Sequence, residues 1–154
     1  GRTQLLRRKL TQPSAFDYIL IDCPPALGLL TVNAMVAADS VLVPLQAEFY
    51  ALEGLSQLLM TVREVRQTAN PDLRIEGVLL TMSDSRNNLS QQVEADARST
   101  LSGLVYRTVI PRNVRLSEAP SHAMPVLQYD PNSKGSAAYR ELAKEFLSRQ
   151  LATA

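Results

Sequence analysis

Charged and amide side chains follow three of the apolar segments in this 154-residue chain. Each segment ends in a short loop that is rich in polar residues or proline. Since the carboxyl ends of parallel strands meet at one edge of a sheet, we expect these loops to form one site. Arginines outnumber carboxylates there, which favours a metal-bound anion over acid/base chemistry by paired carboxylates. The six candidates are Asp22, Asp84, Arg86, Arg112, Asn113 and Arg115.

The segment at residues 16–25 positions the first of these candidates. Ile19, Leu20 and Ile21 are consecutive apolar residues, a pattern typical of a strand covered on both faces of a parallel sheet. The two prolines at positions 24 and 25 cannot continue a ladder because they lack N–H donors. We therefore predict a buried strand that presents Asp22 at its carboxyl end. The alternative is an ordinary aspartate that caps the following turn.

Strands and helices are predicted to alternate along the rest of the chain. This order, at a spacing suited to right-handed crossovers, predicts one α/β domain over residues 1–154 with a mainly parallel sheet and helices on both faces. Asn87 or Asn88 is the expected N-cap of the helix before Gly103. Further strands are predicted at residues 40–45, 74–82 and 105–110, and helices at residues 2–10 (ended by Pro13 and Ser14), 29–38, 52–65, 89–101 and 138–147.

The composition excludes several classes of protein. The 45% hydrophobic and 20% charged content is that of a globular domain, and the net charge of +1 leaves any nucleic-acid role to a local patch. A single cysteine, Cys23, excludes an internal disulfide and sites with several cysteine ligands. Because no apolar run approaches the roughly 20 residues of a membrane span, we expect a cytoplasmic protein.

Four blocks of sequence carry a resemblance to a known family. They are YILIDCPPALGLLT at residues 18–31, EFYALEGL at 48–55, GVLLTM at 77–82 and VIPRNVRLSEAPSH at 109–122. With Tyr129, Ser133 and Gly135 they extend the resemblance over residues 16–149. The chain resembles the C-terminal two thirds of a ParA/Soj-type chromosome or plasmid partitioning ATPase, of the deviant Walker A class that includes MinD. The resemblance implies a P-loop NTPase-like sheet.

The resemblance also implies roles for particular residues. Asp22 corresponds to the Walker B aspartate, which reaches the Mg²⁺ of bound ATP through a water. Two arginines, Arg86 and Arg115, correspond to positions that bind DNA phosphates without reading sequence. The positions expected near the adenine of ATP are Thr81, Met82, Pro111, Arg112 and Asn113.

One part of this class is absent from the sequence. No segment resembles the glycine-rich phosphate-binding loop, so the β- and γ-phosphates of ATP have no holder in this chain. We expect that loop, with its strand and helix, to lie upstream of residue 1, and we expect this chain alone to be catalytically inactive.

The function implied is ATP-dependent DNA partitioning. ATP would close a sandwich homodimer that binds nucleoid DNA non-specifically, and a ParB-type partner would stimulate hydrolysis. One alternative is a MinD-like membrane-surface switch, which would need a basic amphipathic helix at the C-terminus. Another is a truncated, non-catalytic interaction module.

Overall fold

Two strands form the regular part of the sheet in the computed structural model, which describes residues 1–11 and 15–153. Strand β1 is Ser40–Gln46 and strand β2 is Arg74–Thr81. Their pairing is parallel, because the N–H of Arg74 donates to the carbonyl of Asp39 (3.2 Å) and the N–H of Ala47 donates to the carbonyl of Thr81 (3.3 Å). The helices are α1 Leu5–Leu10, α2 Leu29–Ala37, α3 Ala51–Thr68, α4 Asn88–Thr100, α5 Val114–Glu118, α6 Val126–Tyr129 and α7 Lys134–Thr153, with 3₁₀ turns at Arg2–Gln4 and Ala119–His122.

Most of the predicted elements are confirmed. The helices at residues 29–38, 52–65, 89–101 and 138–147 and the strands at 40–45 and 74–82 are present, with ends that differ by a few residues. Asn87 is the N-cap of α4, where its side chain accepts a hydrogen bond from the N–H of Leu89 (2.9 Å). Residues 2–10 are helical, but the predicted helix end at Pro13 and Ser14 lies outside the described residues.

The predicted strand at residues 105–110 is wrong as a regular strand. In the described residues this segment forms an isolated parallel bridge to β2, Val78 with Val105, and a second bridge joins the residues just after each segment, Ser83 with Pro111. The N–H of Tyr106 donates to the carbonyl of Val78 (2.8 Å) and that of Ile110 donates to the carbonyl of Leu80 (2.9 Å). Four residues along this segment therefore correspond to two residues along β2, and the excess bulges out of the ladder.

A buried carboxylate binds the backbone of this bulge. The side chain of Glu145, on α7, is 8% exposed and accepts hydrogen bonds from the N–H groups of Arg107 and Thr108, both at 2.8 Å. It also accepts hydrogen bonds from the hydroxyl of Thr108 at 2.7 Å and from the guanidinium of Arg149 at 3.1 Å. Burial alone would raise the pKa of Glu145, but these hydrogen bonds outweigh burial and lower it to about 2.

The predicted buried strand at residues 16–21 is also wrong. These residues adopt no strand and all are exposed, with Leu20 at 87%. A strand needs a neighbouring strand to accept its hydrogen bonds and to bury its faces, and the described residues give this segment no ladder. Asp22 therefore follows an exposed segment, not a buried strand.

The chain forms two compact units, and the division between them falls within β1, β2 and α3. The first comprises residues 1–41 and 53–76, and the second comprises residues 42–52 and 77–154. A separate hydrophobic cluster lies in each unit: Met35, Val36, Val62, Val65 and Leu73 in the first, and Leu79, Tyr106 and Ile110 in the second. The prediction of a single domain stays a prediction.

The second cluster depends on a glycine in β2. A Cβ at Gly77 would lie 2.8 Å from Cδ2 of Tyr106 and 2.9 Å from the carbonyl oxygen of Leu104. Because Tyr106 is fully buried, its ring has no room to withdraw from a larger residue at position 77.

None of the helices in the described part of the chain is long and apolar enough to cross a membrane.

We predict that Glu145→Gln destabilises the chain by about 3 kcal/mol near neutral pH. The amide would place an N–H group against one of the donors that now share the carboxylate. The folded-state pKa of about 2 lies below the ordinary value of 4.5, so the stabilisation is present above pH 4.5 and is lost as the pH falls toward 2.

Urea unfolding at a series of pH values measures this difference. Glu141→Gln is the matched control, since Glu141 lies one turn earlier on α7 and pairs with Lys144 at the surface. The control should change stability by less than about 0.5 kcal/mol. A Glu145→Gln deficit that stays constant from pH 7 to pH 2 would contradict the assignment.

Candidate functional site

The carboxyl end of β2 lies directly beside residues 110–112. The N–H of Ser83 donates to the carbonyl of Ile110 (3.2 Å), and the N–H of Arg112 donates to the carbonyl of Ser83 (2.9 Å). The five positions predicted near adenine (Thr81, Met82, Pro111, Arg112 and Asn113) therefore lie on two neighbouring backbone segments. Their ligand contacts stay a prediction.

Met82 has an unusual backbone conformation at this end of the strand. Its φ is 54°, in the left-handed region that costs a residue with a side chain about 1–2 kcal/mol. The side chain is not buried to compensate, because Met82 is 38% exposed. Strained backbone of this kind is concentrated at functional sites, where the surrounding structure maintains it.

Asn113 ends the second segment and begins α5. Its side-chain oxygen accepts a hydrogen bond from the N–H of Arg115 at 3.1 Å and so caps the helix. The cap uses Oδ1, and the Nδ2 group is not part of it. This arrangement fixes the backbone at residues 112–113 relative to α5.

Arg86, one of the two predicted DNA-binding residues, forms an ion pair with Asp84. Asp84 accepts from the Nε of Arg86 at 3.1 Å, from its Nη2 at 3.2 Å and from its backbone N–H at 3.0 Å. These bonds lower the pKa of Asp84 below its ordinary value of 3.8, and the charge of Arg112 acts in the same direction. The Arg86 side chain is nevertheless 88% exposed, so the solvent-facing part of its guanidinium is accessible.

Arg115, the other predicted DNA-binding residue, lies between two carboxylates. It contacts Glu118 at 3.0 Å and Asp130 at 3.2 Å, and its side chain is 52% exposed. The hydroxyl of Tyr129 donates to the same oxygen of Glu118 at 3.0 Å. The bonds from Arg115 and Tyr129 lower the pKa of Glu118. Sequence spacing could have indicated the Glu118 pair, three residues along the helix, but nothing in the sequence identified Asp130 as a partner of Arg115 or Tyr129 as a partner of Glu118.

Asp22, the predicted magnesium-linked residue, belongs to the first compact unit, and the other predicted site residues belong to the second. It is exposed and lies outside any helix or strand. Within the part of the chain that the structure describes, no group of three or more His, Cys, Asp or Glu residues could hold a metal ion. A lone exposed carboxylate fits a Mg²⁺ ion that keeps most of its water ligands, and not a cage made of protein ligands.

Comparison with known proteins gives consistent matches. A family model described as an AAA domain matches residues 1–75. The sporulation initiation inhibitor protein Soj of Bacillus subtilis (strain 168) is 62% identical over 130 residues, which is 84% of this chain and 51% of Soj. The chromosome partitioning protein ParA of Caulobacter vibrioides (strain NA1000 / CB15N) is 59% identical over 135 residues, which is 88% of this chain and 51% of that protein.

A solved structure extends the match to the fold. Cobyrinic acid a,c-diamide synthase from Mycobacterium smegmatis, crystallised with ADP and magnesium, superposes with a TM-score of 0.78 at 38% identity, covering 100% of this chain and 56% of that one. The match confirms the predicted class, a P-loop NTPase-like α/β fold with a parallel sheet. The resemblance to ParA/Soj-type partitioning ATPases is confirmed as well. The chain spans about half the length of the curated relatives it matches.

We predict that glycine, compared with alanine, has opposite effects on stability when it replaces Met82 and when it replaces Met60. At Met82 the glycine variant should be more stable than the alanine variant by about 1 kcal/mol, because only glycine adopts the left-handed conformation without strain. Met60, exposed in α3, is the control, and there glycine should be less stable than alanine by about 1 kcal/mol. Chemical unfolding of the four variants gives both differences. Equal stability of Met82→Gly and Met82→Ala would contradict the strain at this position.

Proposed function

We propose that this chain is part of an ATP-dependent protein that partitions chromosomal or plasmid DNA in a bacterium. The observation that carries the proposal is its 62% identity to Soj over 130 residues. The chain spans about half of each relative. For the whole protein we therefore propose ATPase activity, the cofactors ATP and Mg²⁺, and DNA and a ParB-type protein as partners.

The nucleotide base would bind at the carboxyl end of β2. Supporting this, residues 81–83 and 110–112 are joined by backbone hydrogen bonds, and Asn113 is fixed by its capping bond to the N–H of Arg115. Carboxyl ends of parallel strands are also where open α/β sheets bind ligands. Asp22 would hold Mg²⁺ through a bound water, since Mg²⁺ gives up its hydration reluctantly.

The phosphate-binding part of the site would come from residues outside these 154. No segment of the chain has the glycine-rich loop whose N–H groups and lysine hold phosphates in this class. Magnesium bound with ATP supplies positive charge that stabilises the transferring phosphoryl group. On this proposal the isolated chain does not hydrolyse ATP, and the complete protein does.

DNA would be bound through its phosphates, without sequence readout, by Arg86 and Arg115. Each arginine now contacts carboxylates, so a phosphate would have to share or replace these contacts. Arg86 is the more accessible of the two, which favours it as the stronger contact. An ATP-bound homodimer would associate with the nucleoid in the cytoplasm, and a ParB-type protein would stimulate hydrolysis and release.

We predict that Asp22→Asn in the native gene abolishes partitioning, because the neutral amide no longer holds the water shell of Mg²⁺. Asp17→Asn is the matched control, since Asp17 is exposed on the same segment five residues earlier. The frequency of cells without a chromosome, or of plasmid loss, measures the effect in the source bacterium. The Asp22→Asn strain should match a strain with the gene deleted, and the Asp17→Asn strain should match wild type. Normal segregation with Asp22→Asn would overturn the proposed role and favour a non-catalytic module.

A further inference from the structure

The first eleven residues form an exposed surface of one charge sign. Four basic side chains, at positions 2, 7, 8 and 9, lie on the initial 3₁₀ turn and α1, and all four residues are exposed. The first acidic residue of the sequence is Asp17. We call Arg2, Arg7, Arg8 and Lys9 the N-terminal basic surface.

This surface is held in place by hydrogen bonds within the first compact unit. The side-chain amide of Asn33, on α2, donates to the carbonyl of Arg2 at 2.9 Å. The guanidinium of Arg7 donates to the carbonyl of Ala69, just beyond α3, at 3.2 Å. That bond uses one of five donor hydrogens, so Arg7 can bind further acceptors. The arrangement orients the charges before any partner arrives, which reduces the entropy lost on binding.

The N-terminal basic surface also differs from the predicted DNA-binding arginines in its charge balance. Arg86 and Arg115 are each paired with carboxylates. Among residues 1–11 and 15–153, by contrast, no ion pair involves the four basic residues of the surface. An anion that binds here need not displace an existing carboxylate, so the full Coulomb attraction is available to it.

The end of α3, next to the Ala69 carbonyl that Arg7 contacts, carries a further basic residue. Arg66 is exposed in the last turn of α3, three residues before Ala69, and positions three apart share one face of a helix. Asp39, Glu64 and Asp72 are acidic residues of the same unit, and none of them forms an ion pair with the basic surface in the described structure. The local charge is therefore positive although the net charge of the whole chain is only +1.

We propose that the N-terminal basic surface binds the phosphate backbone of duplex DNA, as a second contact area in addition to Arg86 and Arg115. This inference rests on the proposed function, because partitioning supplies DNA as the polyanion. A membrane is the weaker fit: α1 has six residues and two exposed leucines, Leu5 and Leu10, which is too little apolar area for an interfacial helix. Binding would be independent of sequence and strongly dependent on salt.

The experiment measures binding of the whole 154-residue chain to a fluorescent random-sequence duplex by anisotropy at several salt concentrations. The test variant is Arg8→Ala with Lys9→Ala, which leaves the Arg7 and Asn33 bonds intact. The control is Arg140→Ala with Lys144→Ala, which also removes two positive charges, but from α7. Circular dichroism checks that all three proteins are folded. Vesicles of phosphatidylglycerol and phosphatidylcholine are titrated in parallel.

We expect the test variant to bind the duplex about tenfold more weakly at low salt. The negative slope of log K against log salt should become smaller in magnitude by about 2. The control should behave as wild type. If the test variant binds the duplex as tightly as wild type does, this inference is overturned and the proposed partitioning function is unaffected. Tighter binding to the vesicles than to the duplex, or an equal loss in test and control variants, would also overturn it. The segregation defect of Asp22→Asn is a separate readout, so failure of the proposed function can be told apart from failure here.

Discussion

The position of residues 110–113 depends on one buried carboxylate. Between Tyr106 and Ile110 the chain has two residues more than the two residues of β2 that face it, and in the described structure the N–H groups of Arg107 and Thr108 bond to no backbone carbonyl of β2. Glu145 accepts the N–H groups of Arg107 and Thr108, and Arg149 balances its charge. With the bulge held in this way, Ile110 returns to β2 and the following residues align with Ser83.

The two wrong strand predictions have related physical causes. The run Ile19–Leu20–Ile21 correctly indicates apolar character, but burial on both faces is a property of neighbouring strands, and no ladder covers this segment in the described structure. The segment at residues 105–110 has suitable strand composition. Its bulge is set by a carboxylate that lies 35 or more residues later, as the Glu145 bonds at separations of 37 and 38 residues show. Single-segment patterns contain neither kind of information. Helix periodicity succeeded because the helices contain their own hydrogen-bond partners.

The sequence did not reveal the electrostatics around the residues of the candidate site, whose membership stays a prediction. Residues 81, 82 and 111–113 could be identified from the resemblance, and the fold places them on two adjacent segments. The partners of the arginines were not identified: Glu118 was available from helix spacing, whereas Asp130 comes from a separate turn. Asp84 offsets the charge of Arg86, and Glu118 and Asp130 offset that of Arg115. In the part of the chain that the structure describes, positive charge without an ion pair lies instead on the initial turn and α1, at Arg2, Arg7, Arg8 and Lys9.

On the proposed function, residues 81–83 and 110–113 form the base-binding end of a nucleotide site. The most direct measurement is a backbone amide NMR titration of the chain with ATP and Mg²⁺, because it detects weak binding residue by residue. We predict that the amide signals of Met82, Ser83, Arg112 and Asn113 shift together along one binding curve, and that adenosine alone produces the same pattern. Shifts that leave these four amides unchanged while others move would contradict the account.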